Sequence, residues 1–325
     1  MDTRKIHKDL RVTGSLLGMF HLLEREWMLR KISKKSTETM EHWNIRKLKG
    51  KRTWITRSDG SKFRVCILNG KKSDGQTRGI LWLHGGGYVL GGPEMVTMNM
   101  AKHLLKKEDC IIIAPDYTLS HESPYPAALK DCYQTLIWMD RNRDQLGING
   151  EKFIVGGESA GGGLTVALAL LARDRGLNLI DLQIPLYPML DDRDTESSID
   201  NDAPVWNTKS NHAAWKIYLG ELYGNEHIPI YASPAREENV TNLPPAISVI
   251  GTIEPFYQET KSYFRKLQNA GIATYLMEAE GCFHAFDMLV PHAGISKEAI
   301  KFVLEAYEKE ISDETLKIIN SGSRR

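Results

Sequence analysis

A serine flanked by glycines, Gly157-Glu158-Ser159-Ala160-Gly161, sits where a short apolar run, FIVG at 153–156, meets a small-residue stretch with helical character at 160–172. A sharp strand-to-helix turn would hold that serine in a strained backbone position with its hydroxyl exposed, and flanking glycines let neighbouring backbone pass close by. The helix that follows aims its first amides at the same point, which favours developing negative charge. A chain of this composition yields G-x-S-x-G by chance about 0.1 times, so its setting carries the weight rather than the string.

A second motif, His84-Gly85-Gly86-Gly87, follows the apolar run ILWL at 80–83. Its chance expectation is well under about 0.01. Three successive glycines leave amide groups open, with no side chains in the way, as stabilising an oxyanion requires. A phosphate-binding glycine loop is the competing reading, but neither G-x-G-x-x-G nor G-x-x-x-x-G-K-[ST] matches anywhere in the chain. Nucleophilic catalysis on an acyl group is the chemistry these two motifs suit.

Elements to position them are readable in turn. Residues 1–45 look helical, with Leu16, Phe20, Leu23 and Trp27 spaced along one face. TWITR, a turn at Ser58-Asp59-Gly60 and FRVCIL predict a hairpin. Short apolar runs then alternate with helical stretches: 80–83 with 98–105, 111–114 with 127–139, 153–156 with 160–172. The runs at 182–187, 246–250 and 273–277 continue the pattern, with helices over 259–269 and 297–310. Continuous apolar strands alternating with helices predict an α/β fold, a mostly parallel sheet covered on both faces. Between Tyr187 and Ala246 the alternation breaks into an acidic run, DDRDTE, and an aromatic-rich stretch. That is too long for one plain loop and predicts an insertion over the sheet's active edge, partnered by the N-terminal helices. The expected division is an N-terminal helical segment, 1–52, a core in two parts, 53–195 and 231–315, an insertion, 196–230, and a C-terminal tail, 316–325, ending in a disordered SGSRR.

Composition narrows the partners. The 325 residues carry 42 basic and 41 acidic side chains, too balanced for a nucleic-acid partner. No apolar run is long enough to span a bilayer, and the first residues are too polar for a signal peptide. Four scattered cysteines without CxxC spacing read as buried reduced thiols of a cytoplasmic protein. No HExxH motif or metal-spaced Cys/His cluster indicates zinc. Charge is uneven, however: residues 1–52 hold 14 basic and 6 acidic side chains, net +8, while the remaining 28 basic and 35 acidic ones carry −7. Either the basic segment folds back on an acidic body, or it presents a positive face to an anionic membrane surface or substrate.

HGGG at 84–87, GESAGGG at 157–163, YPMLDD at 187–192, YASPAR at 231–236 and GCFHAFD at 281–287 together resemble the hormone-sensitive-lipase-like branch of the α/β-hydrolases. DYTLSHESPYPAAL at 116–129 is similar to that family's DYRLAPEHPFPAAL, and the resemblance spans about residues 54–305. It implies a serine carboxylesterase on an eight-stranded sheet, with a helical cap built from the N-terminus and an insertion after the sixth strand. The triad order Ser, acid, His assigns Ser159 as nucleophile and His284 as base. The family's Asp-Pro is replaced here by Glu254-Pro255, so Glu254 is the implied acid, with Glu259 and Asp287 as rivals. A glutamate is one methylene longer and still reaches the imidazole if its backbone sits slightly further back. Gly86, Gly87 and Ala160 are the implied oxyanion donors, with His84 and Gly85 completing the loop. The resemblance further implies a small-molecule ester substrate, no cofactor and a homodimer through the last strand. Two alternatives stay open: an amidase using the same residues, and a non-catalytic small-molecule receptor.

Overall fold

The computed structural model describes residues 2–19, 23–40, 42–43, 45, 50–70 and 77–322, without the side chains of 34–38 and 313–322. The strands are β1 (Lys51–Thr56), β2 (Lys62–Asn69), β3 (Arg78–Leu83), β4 (Cys110–Pro115), β5 (Phe153–Glu158), β6 (Ile180–Leu186), β7 (Ala246–Gly251) and β8 (Thr274–Ala279). They form an eight-stranded sheet in the order β1-β2-β4-β3-β5-β6-β7-β8. β1 and β2 are a hairpin joined antiparallel to β4, and every other pairing is parallel. This is the expected α/β fold. Strands β4, β5 and β7 are buried along their whole length, which is why they read as unbroken apolar runs rather than alternating ones.

The helices are α1 (Arg11–Leu17), α2 (Glu26–Met40), α3 (Met100–Lys107), α4 (Ala127–Arg141), α5 (Arg143–Leu146), α6 (Ala160–Asp174), α7 (Thr208–Leu219), α8 (Tyr257–Asn269), α9 (Phe286–Leu289) and α10 (Gly294–Gly322). Helix α10 extends well beyond the expected 297–310, into the stretch read as a tail. Among the described residues no helix is long and apolar enough to cross a membrane.

The N-terminal segment departs from its expected pattern. Leu16 and Trp27 are 57% and 58% exposed, and Phe20 lies outside the described residues. The helical spacing crosses a break: α1 ends at Leu17 and α2 begins at Glu26, so it does not define one face. The segment anchors instead through Ile6, Leu10 and Leu29, all buried. Leu29 packs with Val89, Ala213 and Ile217, and the Ser33 hydroxyl donates to the Val89 carbonyl at 2.5 Å. Where the segment meets α7, its acidic side chains make the ion pairs, Glu24 with Lys209 at 3.7 Å and Glu26 with Lys216 at 2.7 Å.

The acidic run after β6 is neutralised locally. Asp192 takes a two-pronged bond from Arg236 at 2.7 and 2.9 Å, and Asp194 meets His212 at 2.7 Å. These pairs join the stretches on either side of the insertion to each other and hold α7 against the first of them. At the rim of the sheet the C-terminal ends of β3, β5, β7 and β8 release the loops carrying the two motifs, Glu254 and His284. A binding crevice at the carboxyl ends of parallel strands is the general outcome of this topology.

The tightest backbone crossing lies between β3 and α6. A Cβ on Gly161 would stand 2.0 Å from the Leu83 carbonyl oxygen and 2.5 Å from that of His84. Gly161→Ala should therefore destabilise the protein by about 3 kcal/mol or force the elbow apart, since two backbones must separate. Urea unfolding checks this, and an unchanged midpoint would contradict it.

Candidate active site

Ser159 caps α6 directly after β5 with φ 56° and ψ −119°, a left-handed conformation that costs a non-glycine residue on the order of 1–3 kcal/mol. Backbone bonds hold it there: its amide donates to the Leu186 carbonyl at 2.9 Å, and its carbonyl accepts from Gly163 at 2.9 Å and Met189 at 3.0 Å. The side chain turns toward His284, whose Nε2 accepts the Ser159 hydroxyl at 2.9 Å. On the other side of the ring, Nδ1–H donates to Glu254 Oε2. Glu254 Oε1 in turn accepts the Gly251 amide at 3.1 Å. All three side chains are buried.

Two loops must meet for that line to form. A Cβ on Gly251 would lie 2.1 Å from the Cys282 carbonyl oxygen, so the loop after β7 presses backbone against the loop after β8. The Gly281 amide donates to Thr252 Oγ1 at 2.9 Å and fixes their register. This close approach gives the longer glutamate its purchase, with the far oxygen tied to the end of its own strand.

The glycine loop lies against the serine. A Cβ on Gly85 would be 3.4 Å from Ser159 Cβ, and Gly86 and Gly87 take φ values of 116° and 61°. Among the described residues the amides of Gly86, Gly87 and Ala160 donate to no backbone carbonyl. They are available to an incoming oxygen. The His84 side chain plays a different part: it stacks on Tyr117 at 4.1 Å and its Nδ1 lies 2.8 Å from the Gly85 carbonyl. Burial lowers its pKa to about 4, leaving a neutral ring that braces the loop.

Among the described residues the rival carboxyls make no hydrogen bond to His284. Glu259, in the first turn of α8, accepts the Leu190 amide at 2.6 Å, and burial raises its pKa well above the ordinary range. Asp287 follows His284 on α9, and burial raises it to about 6 although Tyr187 hydrogen-bonds it. Three rings pack around the imidazole: Tyr187 and Phe256 edge-on at 5.1 Å, and Trp206 tilted at 6.2 Å. Trp206 and Ala214 also close over the glycine loop, standing 2.5 and 3.2 Å from where a Gly87 Cβ would be. Beyond them, a cleft of about 600 Å³ runs between the N-terminal segment and residues 200–209. Among the described residues no cluster of three or more His, Cys, Asp or Glu side chains could hold a metal.

A serine on a strand-to-helix elbow, linked through histidine to a carboxylate at the carboxyl edge of a parallel sheet, defines a serine hydrolase of the α/β class. Residues 80–288 match the family described as alpha/beta hydrolase fold, and the chain belongs to that family, in its hormone-sensitive-lipase-like branch. Esterase LipI of Mycobacterium tuberculosis is 32% identical to it over 218 residues, 66% of this chain and 67% of that protein. The arylesterase of Saccharolobus solfataricus is 31% identical over 220 residues, 64% of this chain and 67% of that one. The crystal structure of esterase LipW from Mycobacterium marinum superposes with a TM-score of 0.84 at 24% identity, covering 95% of this chain and 97% of that one. A bacterial heroin esterase gives a TM-score of 0.84 at 25% identity, covering 95% and 99%.

One residue that sequence reasoning left without a role is Glu158, the variable position of the elbow motif. It is buried and accepts Trp82 Nε1–H at 3.0 Å and Asn99 Nδ2–H at 3.1 Å. Burial, reinforced by the charge of Asp287, raises its pKa from 4.5 to about 8, so the group is a neutral acid at neutral pH. A folded-state pKa above the unfolded value means stability that is full at low pH and is lost as pH rises through the folded value. Glu158→Gln keeps an acceptor for Trp82, sets its amide N–H against Asn99 Nδ2–H at a cost that does not depend on pH, and removes the titration. The stability of the variant relative to the parent should rise by about 3 kcal/mol between about pH 5 and pH 9. Parallel stability curves across that range would contradict this.

Proposed function

We propose that the chain is a serine carboxylesterase cleaving short- to medium-chain acyl esters, with Ser159 as nucleophile, His284 as general base and Glu254 as its acid partner. The observation that carries this reading is the unbroken hydrogen-bond line from Ser159 through His284 to Glu254, beside the open amides of the glycine loop. His284 Nε2 takes the hydroxyl proton as Ser159 Oγ bonds to the ester carbonyl carbon. The carbonyl oxygen becomes an oxyanion held by the amides of Gly86, Gly87 and Ala160, each such donor being typically worth about 3 kcal/mol of barrier. Glu254 holds the imidazole in its reactive tautomer and stabilises the imidazolium. The imidazolium then gives its proton to the leaving alcohol as the ester C–O bond breaks. Water, deprotonated by His284, adds to the acyl-serine and releases the acid, and Ser159 regains its proton.

The segment around Trp206, α7 and the N-terminal helices act as a cap over this centre. Trp206 and Ala214 lie close over Gly87, which limits the room for an acyl chain and favours chains of roughly two to eight carbons. The intact line to His284 speaks for catalysis over a receptor role. Four buried cysteines free of disulfides suit a reducing compartment such as the cytoplasm, and β8, at the end of the sheet, is the edge through which two copies would pair.

A series of nitrophenyl esters of increasing acyl length, set against matching anilides, tests the reaction class. Esters should turn over far faster than anilides, with a maximum at short to medium chains, and Ser159→Ala should lose at least about a thousandfold in kcat. Retained ester turnover by that folded variant would overturn the nucleophile assignment, and faster anilide turnover would favour the amidase.

For the acid, Glu254→Gln should lower kcat about a thousandfold while Glu254→Asp keeps part of the activity. Wild-type behaviour of Glu254→Gln alongside a collapse in Asp287→Asn would move the acid to Asp287.

A further inference from the structure

A second cavity, distinct from the site around Ser159, lies between α3 and the first turns of α10. It is a groove of about 680 Å³, and neither Ser159 nor His284 lines it. Its apolar lining comes from Met98, Met288, Ile300 and Leu304. Its cations are Lys102, Lys106 and Lys107 from α3, facing Lys297 and Lys301 from α10, with His103 and His292 beside them. Among the described residues Glu305 is the one acidic side chain of the lining, and it pairs with Lys301 at 3.6 Å. Lys107 is taken by Glu308. Lys102, Lys106 and Lys297 have no acidic partner among the described residues.

That arrangement is unfavourable as it stands. Lys102 and Lys106, like Lys297 and Lys301, are spaced i and i+4, and like charges at that spacing repel on a helix. The repulsion is felt inside the groove: burial lowers the His103 pKa, and the charges of Lys102 and Lys106 lower it further. An anion between the two helices relieves both effects. A purely polar anion would leave the thioether and branched aliphatic lining uncovered, whereas an apolar ligand would leave the cations unmatched. The volume falls within the usual range for small-molecule sites.

We propose that this groove binds a single-chain anionic amphiphile, a medium-chain fatty carboxylate being the simplest, with its head between Lys102, Lys297 and Lys301 and its tail along Met98, Met288, Ile300 and Leu304. The assignment stands independently of what Ser159 turns over. It is tested with the full chain and sodium decanoate, kept below its micelle concentration at low ionic strength, by isothermal titration calorimetry. Saturable binding is expected, weakening as salt is added. The combined variant Lys102→Gln, Lys297→Gln, Lys301→Gln should bind at least about tenfold more weakly while hydrolysing nitrophenyl acetate as the parent does. The His103 ring, followed by NMR, should titrate at higher pH with decanoate bound.

Decanol and inorganic phosphate serve as half-ligands, and each should bind far more weakly than decanoate. Undiminished decanoate binding by the triple variant, or a His103 titration that decanoate leaves unmoved, would place the ligand elsewhere and overturn the proposal. Phosphate binding as tightly as decanoate would reduce the groove to a plain anion site and overturn it too. Capture by phosphatidylglycerol vesicles without binding of monomeric decanoate would make this a membrane-facing surface instead.

Discussion

The structure depends on one backbone crossing. The Leu83 carbonyl oxygen would lie 2.3 Å from a Cβ on Gly157 and 2.0 Å from one on Gly161, so β3, β5 and α6 meet where no side chain fits. That contact fixes the position of the serine relative to the glycine loop, because the loop leaves β3 one residue after Leu83. The strain at Ser159 is sustained by the same crossing, reinforced by the bonds to Leu186, Gly163 and Met189. The positions of Ser159 and of the glycine-loop amides are thus set by main chain, before any side chain of the site is considered.

Side chains then divide the charge. Four buried carboxyls lie near the serine, and each has different hydrogen-bond partners. Glu254 meets an imidazole and an amide, so its negative charge has partners. Burial raises Glu158 to about 8, so it carries a proton at neutral pH, and burial raises Glu259 as well; both accept hydrogen bonds, Glu158 from Trp82 and Asn99 and Glu259 from the Leu190 amide. Asp287, at about 6, lies between these extremes beside Tyr187. Of the four, Glu254 is the one that hydrogen-bonds His284 among the described residues.

What could be read from the sequence follows what is local. Strand-to-helix context, the run of glycines and the apolar alternation are short-range patterns, and they located Ser159, the amides and the parallel sheet. Glu254 was legible through its motif, but its hydrogen bond to His284 became visible only with the contact between the loops after β7 and β8. Trp206 and Tyr187 carry no local signature of their place around His284, because packing of the insertion and the end of β6 puts them there. The N-terminal pattern differs for the opposite reason: its regular spacing spans a break between two helices, and Leu16 and Trp27 face solvent.

The central claim, that Ser159 forms the covalent bond, is tested most directly with a nitrophenyl alkylphosphonate, which leaves a stable adduct on an activated serine. After partial inactivation, peptide mass spectrometry should find one phosphonyl group, on Ser159, in proportion to the activity lost. Inactivation with the label on another residue, or full activity remaining once Ser159 is labelled, would contradict the account.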